Sequence, residues 1–273
     1  MKRSAPTWLS RVLVYVVAII LSLFVLAPLY VITIAAFSSD EDVYKYPKEL
    51  LPRHLSTDTL SFFLNFAGMT DALWRSVFVA AITLLISLAV GTPAGYALAR
   101  FEFRGADTVR LGVVATRAFP IVILSIPLAV IFIRWGIDDT IQGVSLAHTA
   151  LALPFVVLTT ASVFAGVPVE LEEAAQTLGC SRASAFVRVA LPLALPGLAA
   201  SAIFVFIISW NEVFAASLLT LQHRTLPAEV LSLLEGAPLN FRFAGGFFLL
   251  APSVIVILVI RRYLFAMWGR VVK

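Results

Sequence analysis

Apolar residues in this chain gather into long runs, each near the roughly twenty residues a helix needs to cross about 30 Å of hydrocarbon, with polar residues collected in the gaps. The runs fall at about 12–37, 77–98, 111–133, 144–164, 195–219 and 243–260. In lipid every backbone amide must be satisfied inside its own segment, so each run is expected to be a helix. The expected fold class is all-α: a polytopic membrane protein with six transmembrane helices, forming a single domain over 1–273.

The gaps and interruptions refine this picture. Residues 38–73, with Asp40, Glu41, Asp42, Pro47 and Pro52, make a polar loop too long for a plain connector, so it is expected to fold or to meet a partner. Gly91, Pro93 and Gly95 near the end of the second run predict a kink or a close helix contact. Arg117 and Pro120 interrupt the third run. The segment 221–245, with Pro227, Gly236, Pro238 and Gly245-Gly246, reads either as a flexible connector or as a loop reaching a partner or the pore.

Of the 273 residues 60% are hydrophobic and 13% charged, which makes lipid the main solvent. The one cysteine, Cys180, excludes an internal disulfide, and no Cys/His cluster has metal-ligand spacing, so neither metal nor bound cofactor is expected. The net charge of +4 does not point to nucleic acid, because the basic residues sit at the ends of apolar runs. With both termini cytoplasmic, inner segments hold twelve Lys and Arg; the outer loops hold seven, against ten acids. The positive-inside rule therefore predicts cytoplasmic termini. The first run, preceded by Lys2, Arg3 and Arg11, is too long for a signal-peptide core and reads as a retained helix.

One gap stands apart: the polar stretch 167–194, bounded by Pro168 and Pro192 and cytoplasmic by the same charge count. Pro168 suits a first helical turn, and Glu170, Glu172 and Glu173 complement the positive end of the helix dipole. Leu171, Ala174, Ala175 and Leu178 fall on one face at helical spacing, and Gly179 is expected to end the helix in a left-handed conformation. Ser181 is placed to cap a second helix, with Phe186 and Val189 on its apolar side, which Pro192 is expected to close. By physics alone this helix-turn-helix is either an amphipathic connector on lipid headgroups or a docking element.

The spacing of Glu173-Ala174-Ala175, Gly179, Val189 and Leu191-Pro192 resembles the EAA signature of the permease subunits of binding-protein-dependent ABC importers. The resemblance implies the type I importer fold and a coupling helix that docks on a separate ATPase subunit. Glu173, Ala174, Ala175 and Gly179 would form the contact core, with Glu170, Leu178 and Arg182 beside it. Leu178 departs from the Asp common before this glycine in sugar permeases. Ala36-Phe37-Ser38-Ser39 with Pro47 and Leu51-Pro52, Phe119-Pro120, Trp210-Asn211-Glu212 and the tail residues Gly269, Val271 and Lys273 look like carbohydrate permeases of the maltose-transporter type. The implied partners are a second homologous permease, a dimer of ATPases, an extracytoplasmic binding protein and the lipid bilayer of a bacterial cytoplasmic membrane. The implied cargo is a sugar, the alternative being a polyamine, phosphate or sulfonate. No GxxxxGKS or GxxxxGKT loop occurs, so ATP and Mg belong to the partner.

Polar residues within the spans are costly and are candidates for the substrate pathway: Arg117, Trp210, Asn211 and Glu212. Arg117 lies about 10 Å from the cytoplasmic end of its run and can equally snorkel to the interface. Trp210 reads as an interfacial anchor or a stacking surface for a sugar ring, and Asn211 and Glu212 as sugar contacts or helix-packing groups. His148 reads as a satisfied interfacial histidine, and Thr159, Thr160 and Ser162 as packing residues. His148 and Glu212 lie on different runs with no GxSxG motif, so an intramembrane enzyme is not supported and a transport subunit is expected.

Overall fold

The computed structural model describes residues 8–47, 54–66 and 68–271, with side chains as far as Ile260. Lys2, Arg3, Leu51, Pro52, Arg53 and the side chains of the tail from Arg261 onward, those of Gly269, Val271 and Lys273 included, lie outside the described residues. Every regular element among the described residues is helical. Five helices are long and apolar enough to cross a membrane, and a sixth span appears when one bent pair is counted together.

The helices form two compact sets. The first contains α1 (Trp8–Ala36), α2 (Asp40–Tyr44), α3 (Asp58–Asn65) and the opening turns of α13 (Leu239–Val271) as far as Leu250. Of α1 only Ala35 and Ala36, at its end, are buried, as befits a helix apolar on every side. The described residues of the following loop carry short helices and tertiary bonds. Ser39 caps α2 by accepting from Asp42 N, and Thr59 donates to the Ser38 carbonyl at 3.1 Å. Asn240 donates to Asp40 at 2.7 Å, and Phe63 stacks on Phe248 with ring centres 5.2 Å apart.

The second set holds α4 (Met69–Arg100), α5 (Ala106–Thr116), α6 (Ile121–Trp135), α7 (Ile141–Ala165), α8 (Val169–Thr177), α9 (Arg182–Ala185), α10 (Leu191–Trp210), α11 (Phe214–Leu219) and α12 (Leu226–Leu233), with the remainder of α13. Its centre is the pair α4 and α7. Gly91 and Gly95 face α7 with no room for a side chain: a Cβ on Gly91 would lie 2.6 Å from Val156 Cγ1, and one on Gly95 2.7 Å from the Ala161 amide nitrogen. Lipid provides no hydrophobic drive between apolar helices, so close backbone approach through small residues is what joins them. Gly91 and Gly95 therefore make the close helix contact that their spacing predicts. Helix α10 packs along a different face of α7 through a ladder of pairs, His148 with Ser209, Phe155 with Phe204 and Thr159 with Ser201.

Three boundaries differ from the expected spans. The third run is not one rod: α5 and α6 meet at 93°. Pro120 lacks an amide hydrogen and pushes Phe119 out of helical geometry, while α5 closes on tight bonds from Arg117 N to Val114 O and Ala118 N to Ala115 O. The fifth run ends as a span at Trp210 and restarts as the short α11. Pro192 does not close the helix begun at Ser181. Residues Phe186–Ala190 form a π-turn, with Leu191 N bonded to Phe186 O, and α9 runs through it into α10. The widened turn relieves the clash between the proline ring and the carbonyl of the preceding turn.

Candidate functional site

Helix α8 follows Pro168 at its N-cap position and ends in a two-bond left-handed turn. Gly179, at φ 94°, donates to Gln176 O at 2.9 Å, and Cys180 donates to Ala175 O at 3.0 Å. Ser181 Oγ then accepts from Ser184 N at 3.2 Å and opens α9. Local sequence rules anticipate all three features, because each depends on residues within a few positions.

The face of α8 that turns inward is not the one carrying its leucines. Leu171 is exposed and Leu178 is 88% exposed, while Glu172 is buried to 2%. The cause lies 72 residues earlier in the chain. Arg100, the last residue of α4, places Nε 2.8 Å from Glu172 Oε1 and donates from Nη2 to the Val167 carbonyl at 2.7 Å. Tyr96, one turn back, donates to Glu172 Oε2 at 2.5 Å. The side chains of Arg100 and Glu172 are 10% and 3% exposed, and rings of Phe164 and Phe186 enclose Tyr96 with centres 5.3 and 4.5 Å away. Removing one partner of such a buried pair would leave the other charge buried and unpaired, at a cost of about 3–5 kcal/mol. Glu172 and its partners are the residues that sequence reasoning missed; their signal is an arginine ending one helix and a spare carboxylate in the island.

The expected docking residues consequently form an outward surface. Glu170, Glu173, Ala174, Leu178, Gly179 and Arg182 are exposed and Ala175 is half-buried. With two alanines beside an exposed leucine, the surface is shallow enough for close approach by another protein.

At the other end of α10, the structure brings together two residues that sequence analysis kept apart. His148, fully buried on α7, places Nδ1 2.9 Å from Ser209 Oγ and Nε2 3.2 Å from Glu212 Oε2. Glu212 also accepts from Ala215 N at 2.9 Å and Ala216 N at 3.0 Å, so it caps α11 across the break after Trp210. Both ring nitrogens of His148 face partners inside the protein, an arrangement that positions a helix break. His148 is thus a core residue and not an interfacial one. Trp210 is 1% exposed and stacks on Phe206 at 5.5 Å, so it is neither an interfacial anchor nor open to a sugar ring within this chain. Asn211 is exposed, with Nδ2 donating to Ile207 O in its own helix. Arg117 is exposed at the bend between α5 and α6, its guanidinium 5.9 Å from the Phe155 ring centre. It borders an open cavity of about 830 Å³, otherwise lined mainly by apolar groups such as Val113, Leu124, Leu151 and Pro154.

The turn before α12 is pinned rather than loose. Asp139 accepts from the amides of Leu221, Gln222 and His223 at 2.8, 3.1 and 3.0 Å and lies 3.0 Å from His223 Nδ1. Burial pushes the Asp139 carboxyl up, but the bonds from the His223 amide, the Leu221 amide, the His223 ring and the Gln222 amide outweigh it and hold it below its ordinary 3.8. Leu226 N donates to Ser76 Oγ at 2.7 Å, and Arg75 Nε to the Arg224 carbonyl at 2.9 Å. Within 221–245, residues 221–226 are therefore held by hydrogen bonds to Asp139, Arg75 and Ser76.

Apolar helices long enough to span a membrane, with an exposed polar helix-turn-helix between two of them and a buried ion pair beneath it, define an integral membrane protein of several spans. Residues 91–267 match the family described as binding-protein-dependent transport system inner membrane component, and the chain belongs to that family. The trehalose transport system permease protein SugB of Mycobacterium tuberculosis is 31% identical over 224 residues, 80% of this chain and 82% of that one. The trehalose/maltose transport system permease protein MalG of Thermococcus litoralis is 29% identical over 94% of each chain. The fold is similar to a chain in the crystal structure of a bacterial ABC transporter involved in the import of the acidic polysaccharide alginate. Here the TM-score is 0.74 at 21% identity, covering 96% of this chain and 99% of that one.

Proposed function

We propose that this chain is one permease subunit of an ATP-driven importer. It moves a sugar, handed over by an extracytoplasmic binding protein, across a bacterial cytoplasmic membrane in which both termini face the cytoplasm. The observation that carries the reading is the α8 surface. Glu173, Ala174, Ala175 and Gly179 keep the EAA spacing on an exposed helix and turn, while Glu172 alone is drawn inward. The partners are a second homologous permease, which completes the pathway, and two ATPase subunits that hold ATP and Mg and dock on α8. Closure of the ATPase dimer displaces α8, and the attached helices rock between outward-open and inward-open cavities.

The sugar cargo is supported by relatives whose names give trehalose, trehalose/maltose and diacetylchitobiose as transported compounds. Nothing favours a polyamine, phosphate or sulfonate to the same degree. Of the four pathway candidates, Asn211 and Arg117 keep exposed side chains and are assigned to the route, whereas Trp210 and Glu212 shape the helix break behind it. The test is to purify the complex with its binding protein and screen that protein for ligands. Retention of a disaccharide or oligosaccharide is expected, and retention of a charged non-sugar solute instead contradicts the cargo.

A further inference from the structure

The reading above leaves open how a nine-residue helix held between a glycine turn and Pro168 passes a displacement to the spans without swinging on its own hinges. We propose that Arg100, Glu172 and Tyr96 form a joint that makes α8 move as one body with α4, so that the push of a docked ATPase reaches the membrane helices. The proposal rests on the assignment of α8 as the ATPase docking element.

Three observations converge on it. First, the joint grips α8 at two places: Arg100 holds Glu172 on the helix through Nε at 2.8 Å and the Val167 carbonyl just before it through Nη2 at 2.7 Å. A single contact permits rotation about itself; two contacts to one rigid guanidinium do not. Second, the gripping residues sit on the final two turns of α4, four positions apart on one face, and both reach the same carboxylate. Force applied to Glu172 is therefore received along α4, and α4 is fastened to α7 through the glycine contacts at 91 and 95. Third, the joint is nearly dry, with side-chain exposures of 10% and 3%, and Phe164 of α7 and Phe186 of the π-turn wall in Tyr96. Low local dielectric stiffens directional bonds that water would loosen.

A merely stabilising pair and a joint predict different things when the whole pair is replaced by apolar groups. Such replacement is compatible with a folded protein, yet it removes every directional bond between α8 and α4. The experiment uses the complete complex with its binding protein in proteoliposomes, carrying Glu172→Gln, Tyr96→Phe or the double change Arg100→Met with Glu172→Met. It reads ATPase subunit retained, ATP hydrolysed and solute taken up. For the double variant, retention and hydrolysis near wild type with uptake per ATP lowered roughly tenfold are expected, with smaller losses for the two single variants. Unchanged uptake per ATP in the double variant overturns the proposal. So does failure of all three variants to assemble, which assigns the group to folding alone. A wild-type chain that retains no ATPase contradicts the docking assignment itself, and that outcome is read from the wild-type arm only.

Discussion

The hydroxyl of Thr160 on α7 donates to the carbonyl of Gly91 on α4 at 3.1 Å while also holding its own Val156 carbonyl at 2.7 Å. One turn further along α4, Gly95 sits against Thr160 and the Ala161 backbone with no space for a methyl group. The α4–α7 contact thus depends on an absent side chain more than on any bond. Gly95→Leu is expected to lower stability in detergent by about 1–3 kcal/mol through overpacking. Thr160→Val should lose only about 0.6 kcal/mol, the usual worth of an interhelical bond in a membrane protein. Thermal unfolding of the purified chain measures both; a Gly95→Leu protein as stable as wild type would mean the helices are not in backbone contact.

Glu212 gives a second prediction. Its carboxylate satisfies the amides of Ala215 and Ala216 and faces His148, all buried. Glu212→Ala orphans these donors at about 1–3 kcal/mol each, so hydrogen exchange in α11 should rise sharply, while Glu212→Gln retains one acceptor and should raise it less. Equal exchange in the alanine variant and wild type would remove Glu212 from its role at the break.

The parts of the island legible in the sequence were those decided locally: Pro168 at the start, Gly179 in the turn, Ser181 at the second cap. What was hidden depended on distant partners. Glu172 is one of three carboxylates in the first turns of α8, and nothing in its neighbours separates it from Glu170 and Glu173; Arg100 does. The inward face of α8 is set by that distant partner and not by the apolar residues of the island. The prolines mislead in both directions. Pro120 marks a true bend of 93°, whereas the π-turn at Phe186–Ala190 carries the chain through Pro192. Trp210 and His148 carry groups that fit an interface as well as a core, and only tertiary packing, for His148 that of α7 against α10, places them inside. The six apolar runs were visible because lipid demands them; their ends were not, since α4 and α13 extend beyond the apolar stretch into polar turns.

The Asp139 turn is expected to respond to acid. Its folded carboxyl lies below the unfolded 3.8, so the stabilisation it provides is complete above that value and is lost as pH falls through the lower, folded one. The difference in stability between wild type and Asp139→Asn should be level from neutral pH down to about 5 and shrink below about 4. Exchange protection of the Leu221, Gln222 and His223 amides should fall in the same window. A difference that disappears between pH 7 and 5 would contradict the assignment.

Two substitutions test the exposed surface of the island. Glu173→Lys reverses charge on an exposed helix position and should leave the fold intact, while Gly179→Pro forbids the φ of 94° that the turn requires. Both are expected to abolish uptake in a chain that still inserts in the membrane. Normal uptake by both variants would remove the lever from α8.

The central claim is that a partner ATPase drives this permease by docking on α8. Its most direct measurement places a photo-crosslinking residue at Leu178, 88% exposed on the island, or at Leu221, 78% exposed in the Asp139 turn, in membranes containing the assembled complex. The account predicts a crosslink from position 178 to the ATP-binding subunit and none from position 221. A crosslink to that subunit from 221, or none from 178 in an intact complex, would contradict it.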